Sequence, residues 1–193
     1  MILIGLSGSI GMGKSATSKM FRESGIPVYD ADAAVHRLYS GAAVGPVGAL
    51  FPSAIVDGRV DRVILSKFVL ADKSALRRLE EVVHPLVGAD RQAFLSNCRA
   101  QGAKACILDV PLLFETGGDR NVDVIVVVST SPEEQERRVL ARPDMTVEKF
   151  HAIRSKQMSD TDKKKRAHFV IDSGRGFDYA RRQVTDFLLA LGI

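Results

Sequence analysis

Residues 8–15 read Gly-Ser-Ile-Gly-Met-Gly-Lys-Ser, directly behind the apolar run Ile2-Leu3-Ile4-Gly5-Leu6 and ahead of a helix-like stretch. Glycines let a backbone wrap closely around a polyphosphate, so that several N–H groups and the N-terminus of the following helix point at negative charge. Strand, glycine loop and helix in this order fit the phosphate-binding pattern G-x-x-x-x-G-K-[ST] in the context it requires. Gly8, Gly11, Met12, Gly13, Lys14, Ser15 and Ala16 are therefore the expected nucleotide-binding run. Lys14 would reach the outer phosphates and the Ser15 hydroxyl would ligate magnesium. A Gly/Ser-rich turn with Lys14 merely solvated is the competing reading. The strand before, the helix after and all four specified positions argue against it.

The remaining composition narrows the partners. A chain of 193 residues is long enough for one well-buried core, with room for insertions. The net charge of +4 is small for this length, and no dense basic stripe with stacking aromatics is visible, which favours anionic small molecules over nucleic acid. The basic run Lys163-Lys164-Lys165-Arg166 reads first as a solvated helix face and second as a phosphate attractor. Cys98 and Cys106 have neither a CxxC spacing nor a companion His cluster, so no disulfide framework or zinc site is expected. The N-terminus opens straight into a strand, and no apolar run approaches membrane-spanning length. Those features predict a cytoplasmic protein that does not engage membranes and is a monomer or weak homo-oligomer.

Further short runs read as strands buried on both faces: Ile26-Pro27-Val28-Tyr29, Ala105-Cys106-Ile107-Leu108, residues 124–128 and Phe169-Val170-Ile171. Separated by helical patterns, they predict an α/β fold, a parallel sheet of about five strands covered by helices on both sides. Leu79, Val83, Leu86, Val87, Phe94 and Cys98 follow helical spacing, with Pro85 expected to kink or divide that segment. Ser131-Pro132-Glu133-Glu134 is a capping box with proline at the first helical position. An ordinary crossover needs far fewer residues than separate the second and third strands, so a helical subdomain is expected at about 41–100. The core would comprise residues 1–40, 101–131 and 166–193 of a single domain.

Chemistry beyond nucleotide binding must come from elsewhere in the chain. Asp30-Ala31-Asp32 follows the second strand, where a carboxylate can orient an acceptor hydroxyl, take its proton and help hold magnesium. Asp30 as a helix cap with Asp32 favoured by the helix dipole is an equal reading. Gln135, Arg138 and Arg142 fall at offsets of three and four, so one helical face can lay two guanidinium groups over a triphosphate, or simply face solvent. Pro143-Asp144 breaks that helix and a second one is expected over 146–158, making residues 132–165 a helical lid that excludes water, in preference to a static hairpin. Asp109 can assist magnesium from the end of the third strand. No Asn-Lys-x-Asp base-reading motif is present, which removes regulatory GTPases, and the length does not suit large ATP motors. A small kinase acting on a small phosphorylated metabolite remains.

The motifs in order resemble the dephospho-coenzyme A kinase family over nearly the whole chain. They are residues 5–15, Asp30-Ala31-Asp32, Asp57-Gly58 with Asp61-Arg62 and Leu65, His84-Pro85, Pro111-Leu112-Leu113-Phe114-Glu115, and Gln135 with Arg138 and Arg142. The resemblance implies a P-loop NTP hydrolase-like three-layer fold and ATP-dependent phosphorylation of the ribose 3′-hydroxyl of dephospho-coenzyme A, the last step of coenzyme A synthesis, with Mg2+. It implies Asp32 as the base, Lys14 and Arg142 as stabilisers of phosphoryl charge with Arg138 in support, and an acceptor site drawing on Arg62, His84 and Pro85. Leu113 and Glu115 would line the acceptor cleft. His84 has an alternative as a structural histidine bonded to backbone, and His36, His151 and His168 read as surface or packing residues. Three departures stand out: Ala16 where the family commonly has Thr, Phe51-Pro52 for Phe-Gly, and His168 and Ser173 where Asp and Asn are frequent. His168 and Ser173 bear on adenine recognition. A kinase of the same architecture for another nucleoside or sugar hydroxyl, and a nucleotide-binding or coenzyme A-binding regulator without turnover, are the alternative functions.

Overall fold

The computed structural model describes residues 1–193, the side chain of Ala71 excepted. Strand β1 (Ile2–Ser7) leads through the glycine loop into helix α1 (Lys14–Glu23), followed by β2 (Val28–Asp30) and α2 (Ala31–Tyr39). Next come α3 (Val44–Leu50), the short strands β3 (Ile55–Val56) and β4 (Arg59–Val60), α4 (Arg62–Ala71) and the long α5 (Lys73–Ala100). The chain then returns through β5 (Ala105–Asp109), β6 (Val124–Ser129), α6 (Pro132–Leu140), α7 (Val147–Arg154), α8 (Asp160–Arg166), β7 (Phe169–Asp172) and α9 (Phe177–Ala190). Two compact units divide it: Met1–Tyr29 with Cys98–Ile193, and Asp30–Asn97. The boundary expected at about residue 41 falls inside the second of these.

The first unit is built on a five-stranded sheet of order β2-β5-β1-β6-β7. β1 lies parallel to both β5 and β6, and β6 parallel to β7. The central strands β1, β5 and β6 are apolar up to their last residue because they face a core on both sides. Along β6, Val126 and Val128 enter a cluster with Ile4, Leu6, Phe21, Val184 and Phe187, while Ile125 and Val127 alternate into another with Leu113 and Phe114. Burying one such side chain contributes roughly 1.5–3 kcal/mol, so the sheet centre is the stable platform from which the glycine loop emerges. The run expected as a strand from Ile26 begins only at Val28, although the Pro27 carbonyl already accepts the Ile107 N–H at 2.8 Å. Cys98 and Cys106 are buried free thiols, and burial pushes the Cys106 thiol up to about 11.

The second unit has its own core, in which Tyr39, Val47, Phe51, Val60, Leu65, Leu79 and Val83 meet. Residues 41–61, which lack a clean sequence period, hold α3, a single 3-10 turn at Pro52–Ala54 and the β3–β4 hairpin. The hairpin turns at Asp57 and Gly58, both with positive φ (49° and 72°), as a tight two-residue connection demands. Helix α5 continues through Pro85, so the segment is not divided there. Leu79 and Val83 before the proline and Leu86 and Val87 after it pack on one core, which outweighs one lost backbone hydrogen bond. No described helix is long and apolar enough to cross a membrane.

Candidate active site

The loop between β1 and α1 is shaped by close backbone approaches. A side chain at Gly8 would put its Cβ 2.8 Å from the Val128 carbonyl oxygen, and one at Gly11 (φ +80°) would lie 2.9 Å from that of Gln135. Gly13 is the N-cap of α1, with no side-chain cap bond and no acidic residue in the first turn. The first N–H groups of the helix, with the positive end of its dipole, are thus left for an anion. Ser15 is exposed there, with Ala16 beside it, whereas the Met12 side chain turns inward and its Sδ accepts the Thr130 N–H at 3.3 Å.

Lys14 Nζ donates to Asp109 Oδ1, an ion pair whose carboxylate is only 3 % exposed. The parallel register of β1 and β5 sets Asp109 opposite Leu6, at the strand end from which the loop departs. An exposed hydroxyl at Ser15 and a buried carboxylate at Asp109 are hard oxygen donors of the kind magnesium takes alongside nucleotide phosphates. Among the described residues no group of three or more His, Cys, Asp or Glu gathers that could hold a metal alone. The donor set therefore fits a cation shared with phosphate.

The outer side of the loop is held by polar side chains. Gln135, 3 % exposed on α6, donates from Nε2 to the Ile10 carbonyl at 2.7 Å, and Gln157 Oε1 accepts the Ile10 N–H at 3.1 Å. Ser173 Oγ donates to the Met12 carbonyl at 2.8 Å and accepts from Arg138 Nη1 at 2.9 Å. Arg138 also donates to the Ser173 carbonyl and to Glu134 Oε1. Arg138, expected over the triphosphate, is thus committed to the loop after β7. It borders a cavity of about 370 Å³ lined also by Ala16, Thr17, Met20 and Phe177. Arg142, expected on the same helical face, lies beyond the end of α6 at Leu140, in an exposed turn. The capping box is half formed. Ser131 Oγ accepts the Glu134 N–H, but the Glu134 carboxylate is turned to arginines instead of back to the cap, and its bond to Arg137, against partial desolvation and with help from Arg138, lowers it to about 2.

Further corrections concern the region after β5. Leu113, expected in an acceptor cleft, is 1 % exposed and packs against Phe114, Ile125 and Val127. Glu115 accepts the Met158 N–H at 2.7 Å and pairs at 3.0 Å with Lys163, which is fully buried. Burial raises the Glu115 carboxyl, but the Met158 N–H and the Lys163 ammonium outweigh it and leave it below the ordinary range. Lys163 is therefore no solvated helix face, while Lys164, Lys165 and Arg166 of the same run remain exposed on α8. The helix expected over 146–158 stops at Arg154, and Ser159 caps a separate α8. His168 stands at the start of β7, where its Nδ1 accepts the Ile125 N–H at 3.0 Å. An Asp at this position has an acceptor for the same N–H, so the substitution belongs to strand pairing at the sheet end away from the loop.

The second unit carries the remaining candidates. Asp30 caps α2, accepting the Ala33 N–H at 2.9 Å, and Asp32 is exposed in the first turn. Asp30 thus takes the capping role that spacing had left even with a catalytic one, and Asp32 is not needed for it. His36, one turn after Asp32, is exposed at the surface as expected, and it contacts the exposed Arg62 through Nε2. Burial raises the Tyr39 hydroxyl, opposed by Arg62 nearby. His84 and Pro85 are exposed on α5, and among the described residues no hydrogen bond ties the His84 ring to backbone as its alternative reading expected.

Sequence reasoning passed over Gln157 and Lys163. A glutamine without a motif carries no chemical signal, and a lysine inside a basic run gives no sign that burial will single it out.

Comparison with known proteins agrees with this geometry. The dephospho-CoA kinase family model matches residues 2–178. A dephospho-CoA kinase of Rhodopseudomonas palustris (strain HaA2) is 53% identical over 188 residues, 97% of this chain and 94% of that protein. A crystal structure of a protein from Thermus thermophilus superposes with a TM-score of 0.85 at 35% identity, covering 98% of this chain and 96% of the other. The dephospho-CoA kinase of Campylobacter jejuni, at 22% identity, shares the fold with a TM-score of 0.74 over 98% of this chain and 96% of its own. A phosphate loop with an uncapped helix behind it, on a sheet of this order, is thus found in a chain whose relatives match it from end to end, and the chain belongs to the dephospho-CoA kinase family.

Proposed function

We propose that the protein transfers the γ-phosphoryl group of ATP to the ribose 3′-hydroxyl of dephospho-coenzyme A, giving coenzyme A and ADP. The observation that carries this reading is the uncapped N-terminus of α1 beside the Lys14–Asp109 pair, a preformed seat for a polyphosphate. Lys14 exchanges its carboxylate partner for phosphate oxygens and follows the charge as it moves onto the transferring group. The cavity bounded by Ala16, Met20, Arg138 and Phe177 supports placement of the adenine, with an apolar floor and a guanidinium edge. Asp32 is assigned as the base that positions and deprotonates the acceptor hydroxyl, by its place in the Asp-Ala-Asp motif. Arg142, exposed after α6, is assigned to phosphoryl charge, and the segment 132–165 to a lid. Arg62, His84 and Pro85 are assigned to the acceptor. Ser15 and Asp109 would hold Mg2+, with Asp32 as a further carboxylate, and the ion supplies charge neutralisation at the outer phosphates. The protein is expected in the cytoplasm.

Purified protein with ATP, magnesium and dephospho-coenzyme A, followed by mass spectrometry, tests the reading. Product that disappears in Lys14→Ala supports it. Product unaffected by Lys14→Ala, or none despite ATP binding, overturns it in favour of another acceptor or a binding role.

A further inference from the structure

Three side chains on the outside of the phosphate loop decide which way its inner amides face. In a trans peptide the C=O and the following N–H point in opposite directions. Gln135 draws the Ile10 carbonyl outward at 2.7 Å, so the Gly11 N–H of the same peptide points to the opposite side. Ser173 Oγ draws the Met12 carbonyl outward at 2.8 Å, so the Gly13 N–H is likewise turned away from it. Gln157 holds the Ile10 N–H at 3.1 Å, and the Ser9 carbonyl of that peptide then faces the other way, where it accepts the Met12 N–H at 3.1 Å. The three anchors thus fix the peptide planes 9–10, 10–11 and 12–13 across the stretch where Gly11 (φ +80°) and Gly13 (φ +90°) would otherwise be the freest residues of the loop.

The anchors are themselves held. Gln135 is almost wholly buried, and Ser173 is bonded by Arg138. The residue after Gln157, Met158, donates its N–H to Glu115, which pairs with the buried Lys163. Gln157 and Gln135 also line a cavity of about 870 Å³ that reaches Ser9 and Met12, so a loop amide released by either side chain has water as its alternative partner.

We propose that Gln135, Gln157 and Ser173 are positioning residues that preset the phosphate-loop amides for nucleotide. The proposal rests on the phosphate-loop reading but not on the identity of the acceptor. Preorganisation predicts a cost in nucleotide affinity and not in the chemical step, because the amides must be reordered each time ATP binds.

The test uses the full chain in Gln157→Ala, Gln157→Glu and Ser173→Ala forms, with thermal melting to establish that each is folded. Hydrogen exchange of the Ile10 amide without nucleotide is expected to accelerate in Gln157→Ala and to keep the wild-type rate in Gln157→Glu, which retains the acceptor oxygen. ATP dissociation constants by calorimetry are expected to rise about three- to tenfold in Gln157→Ala and Ser173→Ala, the worth of one hydrogen bond. kcat at saturating ATP is expected to stay within about twofold if the chemical step is untouched. Wild-type ATP affinity in both alanine variants, or unchanged Ile10 exchange in Gln157→Ala, overturns the proposal. Lys14→Ala separates the two levels: if it too binds ATP normally, the phosphate-loop reading fails, and if it alone loses ATP, only the positioning role fails.

Discussion

The phosphate loop and the second unit solve opposite problems. In the loop Ile10 is bonded at both ends, the Met12 carbonyl is taken by Ser173, and Lys14 of the expected nucleotide seat is already paired with a buried carboxylate. In the residues 30–97, Asp32, Arg62, His84 and Pro85 are exposed on helices whose opposite sides form a core. The first arrangement is costly to build and rigid, as binding a polyphosphate through backbone amides requires. The second leaves side chains free to meet an acceptor and puts its stability elsewhere. Residues that act through geometry are thus bonded and at least partly buried in this protein, and residues assigned to a soluble substrate are exposed.

Substitutions at the two kinds of position should therefore fail differently. The largest effect is expected at Asp32. Asp32→Asn should lower kcat by on the order of 10²- to 10⁴-fold, as loss of a general base does, with a far smaller loss of ATP affinity and thermal stability unchanged. Equal losses in turnover and ATP binding would make Asp32 structural and erase the contrast.

Next comes Glu115. Glu115→Gln keeps an acceptor for the Met158 N–H but leaves the buried Lys163 ammonium without its carboxylate, and should destabilise the fold by about 3 kcal/mol in denaturant melts. The folded-state pKa of Glu115 lies below its ordinary value of 4.5, so the native state holds fewer protons than the unfolded chain just below that pH. Its stabilisation is present above about 4.5 and lost as pH falls through the lower folded value; the acid limb of a stability–pH curve should flatten in the variant. A curve identical to wild type would show that the pair contributes nothing net.

The smallest effect concerns Pro85, exposed inside an unbroken α5. Pro85→Ala should raise stability by about 1–3 kcal/mol, since proline costs that order in a helix interior. If it also weakens acceptor binding, the proline is retained for the substrate; a destabilised variant would mean that α5 depends on its geometry.

Much of this was readable in the chain. The glycine loop, the parallel strands and the start of α6 at Ser131 all rest on contacts among neighbours in sequence, where periodicity and caps carry the information. The Asp57-Gly58 hairpin was equally local, yet its strands are only two residues each, too short for an alternation to show. Pro85 misled because intrinsic propensity yields to packing: the apolar stripe continues across it. Leu113 and Glu115 sit in a family motif that reads as substrate contact, whereas one is core and the other holds a buried ammonium.

By itself, then, the sequence determined the fold class, the glycine loop between strand and helix and the order of the elements, because each is specified by residues a few positions apart. Only the tertiary structure decided that Asp30 caps while Asp32 stays exposed, that Lys163 alone of its basic run is buried, and that Gln135, Gln157 and Ser173 converge on the loop from three later segments. A hydrogen bond between Ile10 and Gln157 spans 147 positions, and a separation of that length leaves no local trace for a pattern to report.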